Sequence, residues 1–425
     1  LTHVGGATEI VGDAALGSKL ADALSVESSL AEARGATEGS PEALARAHVH
    51  GFHTYPARMH PLTARRLVEA FSGARDTVLD PFAGSGTVAV EARLAGRSAI
   101  AVDLNPLAVR LAERKLTPAS ASYREALVSA AKEVAAVADA RRTQKRGASR
   151  RYGPEDVSLF EPHVLLELDG LRVGIDALAG RLGPDDRRLA PDLELVLSSI
   201  LVKLSRKASD TSAGVRHQRI AAGFPARLFV KKTEELCRSL GAIAADLAAT
   251  PPSRVLEDDA RSLSGVPTGT VDLVVSSPPY PGVYDYVEHH ALRLRWLRLD
   301  KSRFENAEIG AKRRSTGVSI DEAVARWGRE LSAFLGAMAR TLRPGGRIVL
   351  LIADSAFGHV AVRCEELVPR LGREHGLALV AVASQPRPHF HAATARAFHR
   401  SPRREHAILL ERTPDLAATS RSKPS

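Results

Sequence analysis

Sulfur is scarce in this chain: of 425 residues, two are cysteine and two are methionine. Cys237 and Cys364 stand far apart, so they form neither a disulfide framework nor a paired-cysteine zinc spacing. No uninterrupted apolar run is long enough to cross a bilayer. The first residues lack a basic segment leading into an apolar core, so no secretory signal is expected, and a reducing cytosol is the expected compartment. Acid is also in deficit: 49 Asp and Glu face 59 Lys and Arg, a formal charge of +10. With 44% hydrophobic and 25% charged residues, the chain reads as globular rather than disordered or membrane-embedded.

The excess of base is clustered. Arg141, Arg142, Lys145, Arg146, Arg150 and Arg151 fall within eleven residues without an acid. Arg387, Arg396, Arg400, Arg403 and Arg404 share a second acid-free stretch, Pro386 to Arg404, with three histidines. Arg206 and Lys207 lie among hydroxyl residues in Ser205–Thr211. Clusters of this kind suit a polyanion, because contacts to phosphates release condensed counterions. Arg141, Arg142, Lys145, Arg146, Arg206, Lys207, Arg403 and Arg404 are the expected nucleic-acid contacts, with a solvated surface as the alternative.

Two loops carry the chemistry. Thr77-Val78-Leu79 runs into Asp80-Pro81-Phe82-Ala83-Gly84-Ser85-Gly86-Thr87, followed by a helical pattern to Leu94. Gly84 and Gly86 permit close backbone approach, and the helix start offers unpaired N–H groups. A second strand ends at Asp103, whose carboxylate can accept from a ribose diol, the solution also found in dinucleotide sites. Asn105 is placed to cap the helix entering at Pro106. This βαβ unit predicts a parallel sheet.

The second loop is Ser277-Pro278-Pro279-Tyr280, after the apolar run Val271–Ser276. In an open α/β sheet, ligands bind at the carboxyl ends of strands. The exocyclic amine of a nucleobase is a weak nucleophile because its lone pair is delocalised into the ring. Ser277 Oγ and the Pro278 carbonyl can accept its two N–H bonds and turn the lone pair outward. The two prolines fix these acceptors in advance. Tyr280 offers a face on which an extruded base can stack.

Together the loops closely resemble those of the S-adenosylmethionine-dependent amino-methyltransferases that act on exocyclic nitrogens of DNA bases. The resemblance covers about residues 51–116 and 254–412. It implies a Rossmann-like α/β methyltransferase sheet with a C-terminal antiparallel strand pair, S-adenosyl-L-methionine as cofactor, and DNA as partner. Asp80, Phe82, Gly84, Gly86, Thr87 and Asp103 map onto the cofactor motif. Asp259 matches the acid that accepts from the adenine amine, with Asp258 as its neighbour and alternative, and Tyr55 matches a contact to the methionine end. Members acting on cytosine N4 usually carry Ser first in the catalytic tetrapeptide, and adenine N6 members more often Asp or Asn, so Ser277 favours cytosine. RNA base methylation and adenine N6 methylation are the competing activities, and a dead methyltransferase fold that only binds nucleic acid is the non-enzymatic one. A cognate restriction system is a further partner that the resemblance allows. The C5-cytosine route needs a nucleophilic cysteine, and both cysteines sit in helical patterns. His289-His290 and His389-x-His391 lack a third ligand at suitable spacing, so no metal is expected.

The division expected is a loosely ordered leader (1–45), a cofactor-binding part of the core (46–117), an inserted helical segment (118–253), a catalytic part (254–412) and a disordered tail (413–425).

Overall fold

The structure, a computed structural model, describes residues 7–26, 46–211, 214–216, 218–280, 285–315, 317–387, 392–399 and 401–414. His389, His391 and the tail beyond residue 414 lie outside the described residues.

An eight-stranded sheet organises the chain. Its strands are β1 (Glu9–Gly12), β2 (Thr77–Asp80), β3 (Ser98–Asp103), β4 (Arg254–Glu257), β5 (Val271–Ser276), β6 (Leu342–Ala353), β9 (Leu377–Pro386) and β10 (Arg404–Arg412), while β7 (Ser355–Phe357) and β8 (Val360–Val362) form a separate hairpin. The sheet order is β1-β9-β10-β6-β5-β2-β3-β4. β4, β3, β2, β5 and β6 run parallel, and β10 and β9 close the far side antiparallel, with Ile408 opposite both Leu350 and Val382. The order reverses between β2 and β5. That is the topological switch point, where the crossovers diverge and leave a crevice beyond the strand ends. It brings the two sequence loops together.

Local chemistry sets the helices. Helix α1 is Ala14–Leu24, α2 is Pro61–Phe71, α3 is Thr87–Leu94 and α4 is Pro106–Leu116. Pro106 occupies the first turn of α4 and the Asn105 side chain accepts from Leu107 N at 3.0 Å, so this helix starts where the capping residue and proline require. Five helices follow before the sheet resumes: α5 (Ala121–Thr143), α6 (Pro154–Leu159), α7 (Pro162–Ala179), α8 (Leu189–Leu204) and α9 (Phe224–Ala249). Helices α10 (Tyr286–Trp296), α11 (Ser302–Ala307), α12 (Ile320–Thr341), α13 (Cys364–Arg373) and α14 (Ala392–Ala397) complete the chain.

The sheet is covered on both faces. On one, α12 buries Trp327, Leu331, Phe334, Leu335 and Met338 at helical spacing in a cluster with Val274, Ile348 and Leu350. Each such side chain contributes about 1.5–3 kcal/mol of transfer free energy. The other face shares one core with α2, α3, α4 and the five-helix block. Buried polar contacts join that block to the cofactor side: Arg114 pairs with Asp192 at 2.6 Å, and His53 Nε2 meets Ser198 Oγ at 2.9 Å.

The described part of the leader holds a strand and a helix. Residues 7–26 are ordered elements, with β1 paired antiparallel to β9 from Glu9↔Ser384 to Gly12↔Ala381 and α1 capped by Asp13. Four residues are too few to show a strand periodicity, and the pairing partner lies at the other end of the sequence.

Candidate active site

The glycine loop takes its shape from two left-handed residues, Gly84 (φ 50°) and Gly86 (φ 83°). A Cβ on Gly84 would lie 3.1 Å from the Tyr55 ring, and one on Gly86 would lie 3.0 Å from Ala112 Cβ. Glycine is required at both on conformational and steric grounds. Asp103 holds the loop: its Oδ2 accepts from Gly84 N at 2.7 Å and its Oδ1 from Asn105 N at 2.8 Å. Each oxygen keeps a further lone pair. Burial pushes the Asp103 carboxyl up to about 6, against the opposing backbone N–H bonds. Behind the loop, the fully buried Lys115 donates to the Ser85 carbonyl at 2.8 Å. Burial, and then the charge of Arg58, holds that amine well below its ordinary range.

Asp80 ends β2 and Ser276 ends β5, and they meet across the switch point with Ser276 Oγ donating to Asp80 Oδ1 at 2.6 Å. Phe82 N donates to the same oxygen. Burial raises the Asp80 carboxyl to about 7. Next along the chain, Ser277 and Pro279 open onto the same cavity as Asp80, Phe82, Gly84, Thr87 and Asp103, a space of about 870 Å³ including its open mouth. Tyr55 lines it too; its hydroxyl accepts from Asn105 Nδ2 at 3.2 Å and its ring stacks on His290 at 4.6 Å. Thr87 Oγ1 is buried without a partner among the described residues.

Asp258 and Asp259 both line the cavity but differ in their partners. Asp258 is consumed by its own loop, accepting from Asp259 N, Ser264 Oγ and Gly265 N. Asp259 is gripped by the Arg261 guanidinium, at 2.6 Å in its shortest contact. The cavity is also lined by Arg58, by Tyr286, one of the aromatics that follow the catalytic loop in the sequence, and by Phe304, Ala307, Glu308 and Ile309, which the sequence did not flag. Glu308 is buried, accepts from Tyr286 N at 2.6 Å and pairs with Arg313; burial raises its carboxyl. No motif marks the stretch from Phe304 to Ile309, which is the end of one short helix and its flank.

Tyr280 sits beside the cavity rather than in its lining. Its hydroxyl donates to Glu405 Oε1 at 3.1 Å, and Arg387 Nε binds Glu405 Oε2 at 2.7 Å. Burial, then the Glu405 charge, drives the phenol well above its ordinary range, while the Ser277 hydroxyl, a hydrogen-bonding neighbour, pulls the other way.

The expected nucleic-acid contacts divide. Arg142, Lys145, Arg146 and Arg206 are exposed, although Arg142 pairs with Asp139. Arg141 is tied to Asp169 at 3.2 Å, and Lys207 is half-buried beside a groove between α6 and α10. Arg403 corrects the expectation, and Arg404 is engaged by an ion pair. Arg403 is 3% exposed and donates to the Asp354 carbonyl, while Arg404 binds both oxygens of Glu9. Arg403 is thus buried against a backbone carbonyl, whereas Arg404 is partly exposed and paired with a surface glutamate. The cysteines are buried, and burial pushes the Cys237 thiol up to about 11 and Cys364 higher still. Neither is a ready nucleophile. Among the described residues no group of three or more His, Cys, Asp or Glu is placed to hold a metal.

Residues 31–114 match a family described as DNA methylase, the N6/N4 methyltransferases. The chain is 35% identical over 69 residues to the type II methyltransferase M.MjaII of Methanocaldococcus jannaschii, covering 16% of this chain and 13% of that protein. It is 36% identical over 72 residues to M.MvaI of Kocuria varians, 16% of each. A longer match, 25% identical over 290 residues, is to M.BsoBI of Geobacillus stearothermophilus, covering 60% of this chain and 54% of that protein. The chain thus spans from about an eighth to about half of these curated relatives.

Proposed function

We propose that this chain, which is related to the N4/N6 amino-methyltransferases through its cofactor region, methylates the exocyclic amine of a DNA base, N4 of cytosine. The observation that carries this reading is the meeting of Ser277 and Pro279 with Gly84 and Asp103 around one cavity at the switch point.

The cofactor of this family is S-adenosyl-L-methionine, and the residues present fit it. Asp103 has lone pairs left for a ribose diol, the glycine cradle has no room for a Cβ, and Thr87 brings an unpartnered buried hydroxyl. Tyr55 and Arg58 line the side assigned to the methionine end, and Leu104, Ala260, Phe304 and Ile309 offer apolar surface for a purine. When bound, the cofactor supplies an electrophilic methyl group on a sulfonium. Everything else falls to the chain's own side chains. Ser277 Oγ and the Pro278 carbonyl accept from the amine and orient its lone pair, and the buried, proline-fixed backbone keeps them in place before the base arrives. Tyr280 supports the flipped base. No covalent enzyme intermediate is needed.

DNA is the substrate favoured by the family description and by the relatives, each named a type II methyltransferase. The exposed Arg142, Lys145, Arg146 and Arg206 supply phosphate contacts. Transfer of tritium from methyl-labelled cofactor to unmodified genomic DNA and to total RNA, assayed side by side, tests the reading. Label in DNA supports it, and label in RNA alone overturns it.

A further inference from the structure

Residues 52–60, which carry Tyr55, form neither helix nor strand. No backbone ladder fixes this segment, so its side chains must hold it. The position of Tyr55 matters, because its ring lines the cavity and lies 3.1 Å from where a Cβ on Gly84 would stand. Two residues on one face of α10 grip the segment. His290 stacks on Tyr55 with ring centroids 4.6 Å apart, and Arg293, three positions on, donates to Thr54 Oγ1 at 2.8 Å.

Arg293 has no exposure. A buried guanidinium needs a counter-charge, and the inserted helical segment supplies it. Arg293 pairs with Asp210, which lies just after α8 in the stretch 205–211. Thr54 Oγ1 donates to the second Asp210 oxygen at 3.2 Å. The three side chains thus close a ring of hydrogen bonds. Arg293 donates to both partners, the carboxylate accepts from both, and the threonine hydroxyl does one of each. One residue earlier, His53 makes a second tie to the insertion. Its Nε2 meets Ser198 Oγ on α8 at 2.9 Å, and its Nδ1 meets the Thr54 carbonyl at 2.7 Å. Arg293 Nε reaches the Ser198 carbonyl at 3.4 Å, and His53 and Ser198 are both buried.

We infer that Arg293 is a positioning residue for the cofactor. With Asp210 it fixes Thr54, and through Thr54 it holds Tyr55 between His290 and the glycine loop, on the side of the cavity assigned to the methionine end. Neither Arg293 nor Thr54 is among the described residues that line the cavity, so both act through Tyr55. The inserted helices are then part of the cofactor site, since Ser198 and Asp210 both come from them. The proposal rests on the reading of this cavity as the S-adenosylmethionine site.

The test uses Thr54→Val and Thr54→Ser. Valine matches threonine in shape and deletes only the hydroxyl, while serine keeps it. Both leave the buried Arg293–Asp210 pair intact, whereas removing either ion would strand the other in the interior and destabilise the fold. Thr54 is itself exposed, so neither change opens a core cavity. Titration calorimetry compares two ligands on the full chain: S-adenosylhomocysteine, and methylthioadenosine, which lacks the amino-acid end.

Thr54→Val should bind S-adenosylhomocysteine about threefold to tenfold more weakly, the effect of one lost hydrogen bond. Its affinity for methylthioadenosine should stay within about twofold of wild type, because Asp103 and the glycine loop still hold the nucleoside. Thr54→Ser should bind both ligands as the wild type does. Wild-type affinity of Thr54→Val for S-adenosylhomocysteine would overturn the proposal. Equal losses for the two ligands would also overturn it, by showing a general loosening of the fold. So would a serine variant as weak as the valine one. A wild-type protein that binds neither ligand would instead refute the cofactor reading, so the two failures are distinguishable.

Discussion

Asp103→Asn probes the cofactor site at its most heavily used side chain. In the native loop, the carboxylate accepts from Gly84 N at 2.7 Å and Asn105 N at 2.8 Å, and the residue lines the cavity. An amide of the same size keeps one acceptor oxygen but turns an NH2 group toward one of these N–H donors. One backbone bond is lost, and the ribose diol loses a charged partner worth about 1.5–3 kcal/mol. The expected result is a Kd for S-adenosylmethionine weaker by about tenfold to a hundredfold, read by titration calorimetry. Native far-ultraviolet circular dichroism should persist, because β3 itself is held by its neighbours on both sides. The reasoning is refuted if the variant binds the cofactor as tightly as the wild type. In that case the ribose is held elsewhere, and Asp103 serves only to close the glycine loop.

Asp80 gives a pH prediction. Its carboxyl is raised to about 7 by burial, so the folded state favours the protonated form. A raised carboxylate contributes stability that is present at low pH and is lost as pH rises through the folded value. The cofactor-free protein should therefore gain on the order of 1 kcal/mol between pH 8 and pH 6 from this group, and Asp80→Asn should flatten that gain in thermal melts. A melting curve for Asp80→Asn with the wild-type pH slope would contradict the assignment. For nucleic-acid binding, replacing Lys145 and Arg146 with Ala should reduce the log–log salt slope by about 2 on duplex DNA, at roughly 0.9 per phosphate. Replacing Arg403 should leave the slope alone, since its guanidinium is buried against the Asp354 carbonyl. Fluorescence titrations across a salt series would show either outcome.

Much of the sheet was readable because its loops carry their own punctuation. Pro81, Gly84 and Gly86 mark where β2 ends, Asn105-Pro106 marks the start of α4, and the two prolines after Ser277 mark the end of β5. These signals are local, and local chemistry sets them. What escaped the sequence was long-range. The four residues of β1 become a strand only because β9 offers an edge some 370 positions away. Arg403 and Arg404 look like a basic patch on paper, yet Asp354 and Glu9 claim them in the fold. The cavity lining from Phe304 to Ile309 has no motif, because its task is to close a space defined by other segments. Tyr280 was expected to face the base. That its hydroxyl is held by Glu405 depends on β10 lying next to β6, which no spacing reveals.

The central claim is that Ser277 and the Pro278 carbonyl present a cytosine amine for methylation. Mass spectrometry of nucleosides digested from DNA treated with the protein and S-adenosylmethionine, for wild type and Ser277→Ala, tests it most directly. The expected result is N4-methylcytosine from the wild type and a roughly hundredfold lower yield from the variant at unchanged cofactor affinity. N6-methyladenine as the sole product, or a Ser277→Ala variant as active as the wild type, would contradict it.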